Sequence, residues 1–187
     1  MNAVKKRNLT VMALVAFLLV LTVWHNREPE AAAVFQQQKG LPMRIGPQAG
    51  LLAPSFSLKG SDDRVYSVGG TRDKAVMLNF WASWCEPCQQ EAPELNAMAE
   101  QYKDVLDIYG INVTSYDYKP NAERFIKKYN LAFPTMFDLK GEVFAKYNGA
   151  VFPTNVLIDK NGVISEIVLG VLSREELERK IIKLTRP

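Results

Sequence analysis

An apolar run from Ala75 to Trp81, broken only by Asn79, leads through Ala82-Ser83-Trp84 into Cys85-Glu86-Pro87-Cys88, and this junction constrains the fold most tightly. A run of that length and composition reads as a buried central strand, which requires cover on both faces of its sheet. From Pro87 to Tyr102 the pattern becomes helical: proline is tolerated in a first turn, and Leu95, Met98, Ala99 and Tyr102 fall along one face. The chain therefore turns from a central strand into a helix at the point where both of its cysteines stand.

The flanking segments extend this unit. Phe56 to Leu58 and Val65 to Val68, separated by a turn containing Gly60 and two aspartates, predict an N-terminal hairpin. Leu106 to Val113 reads as a second strand, and Asn121 to Tyr129 as a short amphipathic helix using Phe125, Ile126 and Tyr129. Thr154 to Asp159 and Val163 to Leu169 flank Asn161-Gly162, a strong hairpin signal, and Ser173 with Glu176 forms a capping-box pattern ahead of a last helix. A beta-alpha-beta unit followed by an antiparallel hairpin and a helix implies an α/β fold with a mixed central sheet flanked by helices.

The first 30 residues have a different character. Lys5, Lys6 and Arg7 precede sixteen mostly apolar residues, Leu9 to Trp24. As a helix this run would extend about 24 Å against a hydrocarbon core of roughly 30 Å, a gap that snorkelling flanks and local thinning can close. The basic cluster before it places the N-terminus inside and the following domain outside the membrane. The expectation is a single-pass signal anchor over residues 1–30, a polar linker over 31–45 and one globular domain over 46–187. Ala31-Ala32-Ala33 leaves open a cleaved signal, although it lies far from the apolar run.

Composition matters mainly for what it excludes. The three basic residues of the N-terminal cluster account for the whole excess of 23 Lys and Arg over 20 Asp and Glu, so nothing calls for nucleic acid or another polyanion. With two cysteines and one distant histidine, His25, the four ligands of a thiolate zinc site cannot be assembled, and neither a metal nor a cofactor is expected. A purely structural disulfide between Cys85 and Cys88 would close too short a loop to constrain the unfolded chain much. Redox chemistry fits better. Unpaired amides and the macrodipole at a helix start favour a Cys85 thiolate that can attack a disulfide, while Cys88, one turn further in, can resolve the mixed disulfide.

Asn79-Phe80-Trp81-Ala82-Ser83-Trp84-Cys85-Glu86-Pro87-Cys88, followed by Glu91, resembles the active site of the thioredoxin superfamily, and more closely that of its ResA/TlpA-like branch of membrane-anchored reductases. The resemblance runs from about Gly46 to the C-terminus and implies a thioredoxin fold with an N-terminal hairpin and a central insertion from about Asn112 to Pro134. It also implies a cis-proline facing the cysteines. Of the two Phe-Pro-Thr triplets, at Phe133 and Phe152, the second precedes the longer strand, so Pro153 is assigned that role and the Phe152 backbone is expected to pair with substrate. Trp84, Phe152 and Pro153 are thus the expected substrate-binding residues. Tyr116 and Tyr118 carry little weight as a partner surface.

Two carboxylates complete the expected site. Thioredoxins proper have aspartate where this chain has Asn79, which cannot carry a proton. Glu91, on the helical face of Cys88, is a functional residue in the resembling branch and would serve here as a partly buried proton acceptor; the alternative is an ordinary solvated glutamate. Glu86 and Pro87 lie between the cysteines as tuning residues. The Glu86 charge opposes a Cys85 thiolate and pushes the couple toward reductant, unless solvent screens it.

The function expected is an extracytoplasmic enzyme that reduces disulfides of exported proteins, such as apocytochrome c, and is recharged by a membrane electron donor. A thiol oxidase or isomerase remains an alternative, as does a peroxiredoxin-like antioxidant suggested by Ala53-Pro54-Ser55-Phe56. A non-catalytic tethered binding or chaperone module would leave both cysteines idle.

Overall fold

The computed structural model describes residues 15–22 and 44–186. The chain divides into two compact units, Met1–Gly40 and Leu41–Pro187. In the first, residues 15–22 are helical. They fall inside the expected anchor, the rest of which lies outside the described residues, as does nearly all of the expected linker. Among the described residues no helix is long and apolar enough to cross a membrane.

The second unit is built on β3 (Ala75–Trp81), whose seven residues are all buried. It pairs in parallel with β4 (Leu106–Asn112) and antiparallel with β6 (Thr154–Ile158). The outer positions of this five-stranded sheet are taken by β5 (Thr135–Phe137) beside β4 and by β7 (Ile164–Leu169) beside β6. The two strands β1 (Phe56–Lys59) and β2 (Val65–Val68) pair separately, as the expected hairpin.

Because side chains alternate across a strand, β3 feeds two cores. Val76, Leu78 and Phe80 pack with Phe56 and Val68 of the hairpin and with Val143 and Phe144 of the short helix α3 (Glu142–Lys146). On the opposite face, Ala75 and Met77 meet Leu95 and Met98 of α1 (Glu86–Gln101) and Leu177 and Ile181 of α4 (Arg174–Thr185). Burial of each such aliphatic side chain stabilises the fold by about 1.5–3 kcal/mol. Asn79, next in the alternation after Met77, points the same way as Met77 and meets α1. This places a polar side chain in the second core.

The turn and cap signals hold. At the β6–β7 turn Asp159 Oδ1 accepts from the amides of Asn161 and Val163, and Gly162 takes φ of 82°. Ser173 and Glu176 form the reciprocal capping box of α4. The expected central insertion is itself regular structure, built into the sheet. Helix α2 (Lys119–Tyr129) returns the chain to β5, which extends the sheet parallel to β4, and α3 follows before β6. The segment thus forms a second beta-alpha-beta unit and runs past Pro134, where the expected insertion ended. Both Phe-Pro-Thr triplets lead into a strand, and Phe152-Pro153 is the cis bond among the described residues.

Candidate active site

Cys85 and Cys88 are joined as a disulfide with their Cα atoms 5.3 Å apart. Cys85 is the N-cap of α1, and its sulfur accepts from the Cys88 amide at 3.2 Å, where capping normally uses a side-chain oxygen. Glu86 and Pro87 occupy the first turn, so the missing proline N–H falls where no helical partner exists. An amide aimed at the Cys85 sulfur, together with the positive end of the helix, is what stabilises a thiolate once the bond is reduced.

In the disulfide form Cys85, at the helix start, and Cys88, one turn further in, are equally covered, at 3% and 4% exposed. Their surroundings distinguish them. Cys85 borders an open cleft of about 500 Å³, shared with Trp84, Glu86, Pro87, Tyr116, Phe144 and Phe152. Cys88 borders a small pocket of about 10 Å³ along with Asn79, Trp81 and Phe125.

The cleft is aromatic. Phe144 stacks on Phe152 with centroids 4.9 Å apart, and Trp84 meets Phe152 edge-on at 5.8 Å. A Cβ on Gly149 would fall 2.1 Å from the Phe144 ring, so the absence of a side chain there is what lets this ring sit in the cleft. Phe152 makes no backbone hydrogen bond among the described residues. Pro153 is buried behind it and does not border the cleft. Tyr116, given little weight from the sequence, is a wall of the cleft, whereas Tyr118 is exposed outside it.

The turn before Cys85 is held by the segment between β4 and α2. The Asp117 carboxylate accepts from the Ser83 amide and hydroxyl, both at 2.6 Å, and from Asn112 Nδ2 and the Tyr118 amide, both at 2.7 Å. Four donors fill the acceptor positions of a carboxylate. Trp84 Nε1 donates to the Tyr116 carbonyl at 2.8 Å, fixing the indole against the same segment. Sequence reasoning missed Asp117, since an aspartate in a loop is too common to stand out.

Behind the disulfide, Glu91 is 1% exposed. It accepts from Asn79 Nδ2 at 2.9 Å, Asn155 Nδ2 at 2.7 Å and the Leu172 amide at 3.2 Å, while Asn79 Nδ2 also donates to Asn155 Oδ1 at 2.7 Å. Sheet register explains the triangle, because Asn79 and Asn155 are direct partners on β3 and β6. Burial pushes the Glu91 carboxyl up to about 7, and the hydrogen bonds from Leu172, Asn155 and Asn79 only partly oppose it. Asn155 was not anticipated as a site residue. Its signal was a lone amide amid the apolar residues of β6.

The comparisons with known proteins agree with this geometry. The profile of the AhpC/TSA family matches residues 49–167. Thioredoxin-like protein YneN of Bacillus subtilis is 38% identical over 138 residues, 73% of this chain and 81% of that protein. Thiol-disulfide oxidoreductase ResA of Geobacillus thermodenitrificans is 32% identical over 183 residues, 95% of this chain and 97% of its own length. Among solved structures, a thiol:disulfide interchange protein of the thioredoxin family from Chlorobium tepidum superposes with a TM-score of 0.64 at 27% identity, covering 72% of this chain and 96% of that one. StoA from Bacillus subtilis gives 0.61 at 27% identity, covering 67% and 95%. The chain therefore has a thioredoxin fold and belongs to the AhpC/TSA family, standing within it beside the thiol-disulfide oxidoreductases of the ResA kind.

Proposed function

We propose that the protein reduces disulfides of exported proteins outside the cytoplasm. Residues 1–30 tether it as a single-pass anchor, residues 31–45 form a linker, the domain from residue 46 carries the site, and a membrane electron donor recharges it. The observation that carries this reading is the pairing of an N-capping Cys85 on an open aromatic cleft with a buried, proton-competent Glu91 behind Cys88.

In the reduced protein, the Cys85 thiolate attacks one sulfur of the substrate disulfide. A Cys85–substrate bond forms, the substrate bond breaks, and the first substrate sulfur leaves as a thiolate. Cys88 then loses its proton to ionised Glu91 and attacks Cys85. The intramolecular disulfide forms and the second substrate sulfur leaves, so two electrons have passed to the substrate. Trp84 and Phe152 wall the cleft that receives the substrate, and the free backbone of Phe152 pairs with it. Pro153 positions Phe152 from beneath. Pro87 presets the first helical turn, and Glu86 puts a negative charge beside Cys85 that opposes the thiolate and biases the couple toward reductant. No cofactor or metal enters these steps. Apocytochrome c is one exported substrate consistent with this reading.

Titration against a dithiol redox buffer tests the direction of the chemistry. The reading predicts a reduction potential at or below about −270 mV, the thioredoxin range, whereas a value near about −120 mV would establish an oxidase instead.

A further inference from the structure

Trp84 divides two grooves. On one side lies the aromatic cleft that contains Cys85; on the other, a groove of about 690 Å³ runs along α2. Its wall carries Arg124, Lys127 and Lys128, all exposed, and no acidic residue borders it. Among the described residues none of the three cations is paired with a carboxylate; Arg124 donates instead to Asn121 Oδ1. Lys127 and Lys128 complement the C-terminal end of the α2 dipole, but Arg124 lies a turn earlier and its position is not explained that way.

The groove is also joined to the redox turn. Lys128 Nζ sits 4.9 Å from the Tyr129 ring centroid, Tyr129 Oη donates to Gln89 Oε1 at 3.1 Å, and Gln89 Nε2 donates to the Ser83 carbonyl at 3.3 Å. The positive wall is thereby fixed to α1 and to the loop that delivers Cys85. Glu86, the acidic residue at the site, borders the aromatic cleft on the other side of Trp84. Across the indole, the charge therefore changes sign.

We infer that the α2 groove recognises an acidic segment flanking the cystine of the protein substrate, so that the two sides of Trp84 set which substrates are reduced and in which direction the substrate chain lies. This rests on the oxidoreductase reading and deepens it. A substrate with Asp or Glu on the groove side gains attraction from three unpaired cations, and the reversed polarity would set its carboxylates against Glu86. Interface charges of this type act mainly on encounter and register.

The test uses the full-length reduced protein and two cystine peptides of equal length, one flanked by Asp and Glu and the other by Ser and Gln. The inference predicts a kcat/KM roughly fivefold higher for the acidic peptide at low salt, with the preference gone at about 1 M salt, where the screening length is about 3 Å. Replacing Arg124, Lys127 and Lys128 by Gln together should remove the preference and leave turnover of the neutral peptide unchanged. Equal rates in the wild type, or a preference that survives the triple substitution, would overturn the inference while leaving the dithiol chemistry intact. Failure to reduce either peptide would instead overturn the oxidoreductase reading and the inference with it. A parallel arm measures sedimentation with phosphatidylglycerol vesicles; binding that depends on the three cations without any peptide preference would assign the groove to an anionic lipid surface and overturn the peptide proposal.

Discussion

Cys85 and Cys88 stand one helical turn apart and are equally covered in the disulfide, yet the space around them is opposite in kind. Cys85 borders an open aromatic cleft whose walls come from the active-site turn, the segment after β4 and the stretch from Gly149 to Phe152. Cys88 borders a far smaller pocket among buried side chains, beside an amide–carboxylate triangle formed by Asn79, Asn155 and Glu91. The difference teaches that the division of labour in such a pair is set by environment more than by accessibility of the sulfur. On one side lies an open aromatic cleft, and on the other a small buried space with a carboxyl held near neutrality.

The largest effect that could break this comparison lies on the inner side. The folded pKa of Glu91, about 7, stands above its usual 4.5, so the folded state binds the proton more tightly than the unfolded chain does. Stability from this group is fully present below about pH 4.5 and is lost as pH rises through about 7, a change of about 3 kcal/mol. Denaturant titrations of the oxidised protein at pH 4 and pH 8 should show that loss, and Glu91→Gln should abolish it. The same variant should slow resolution of the mixed disulfide and remove a step near neutrality from its pH–rate profile. An unchanged pH dependence of stability in Glu91→Gln would mean that another group carries it.

A smaller effect sharpens the comparison from the outer side. Asp117→Ala leaves the Ser83 amide and hydroxyl, Asn112 Nδ2 and the Tyr118 amide without their acceptor, at a cost of about 1–3 kcal/mol where these donors stay covered. Because the damage is confined to the turn that presents Cys85, KM for a protein disulfide should rise while the Glu91-dependent pH slope of stability is retained. If the slope vanished as well, the two sides would not be separable.

The parts of the fold that are long and periodic were legible in the sequence. The strand Ala75–Trp81, the helix at Glu86–Gln101 and the capping box at Ser173 each carry a local signal that tertiary packing leaves in place. The two Phe-Pro-Thr triplets could be separated because six strand-like residues follow Pro153, whereas the strand after Pro134 is only Thr135–Phe137. That three-residue strand and the five-residue helix Glu142–Lys146 are too short to show a period, which is why neither was read from the sequence as an element of its own.

The candidate site divides in the same way. Cys85, Cys88 and Glu91 share one helix, so their relation followed from spacing alone. Asn155 and Asp117 reach the site through strand register and loop packing, with 64 and 34 residues separating them from the partners they bind at Glu91 and Ser83. Contacts at that sequence distance depend on the whole fold. Gly149 is similar, since nothing local says that its missing side chain makes room for Phe144.

Limiting alkylation tests the central claim most directly, because it asks which sulfur the outer cleft presents once the disulfide is opened. The fully reduced protein is treated with substoichiometric iodoacetamide near neutral pH and the modified peptides are quantified. The account predicts carboxamidomethylation of Cys85 well ahead of Cys88; modification of Cys88 first, or of both at equal rates, would contradict it.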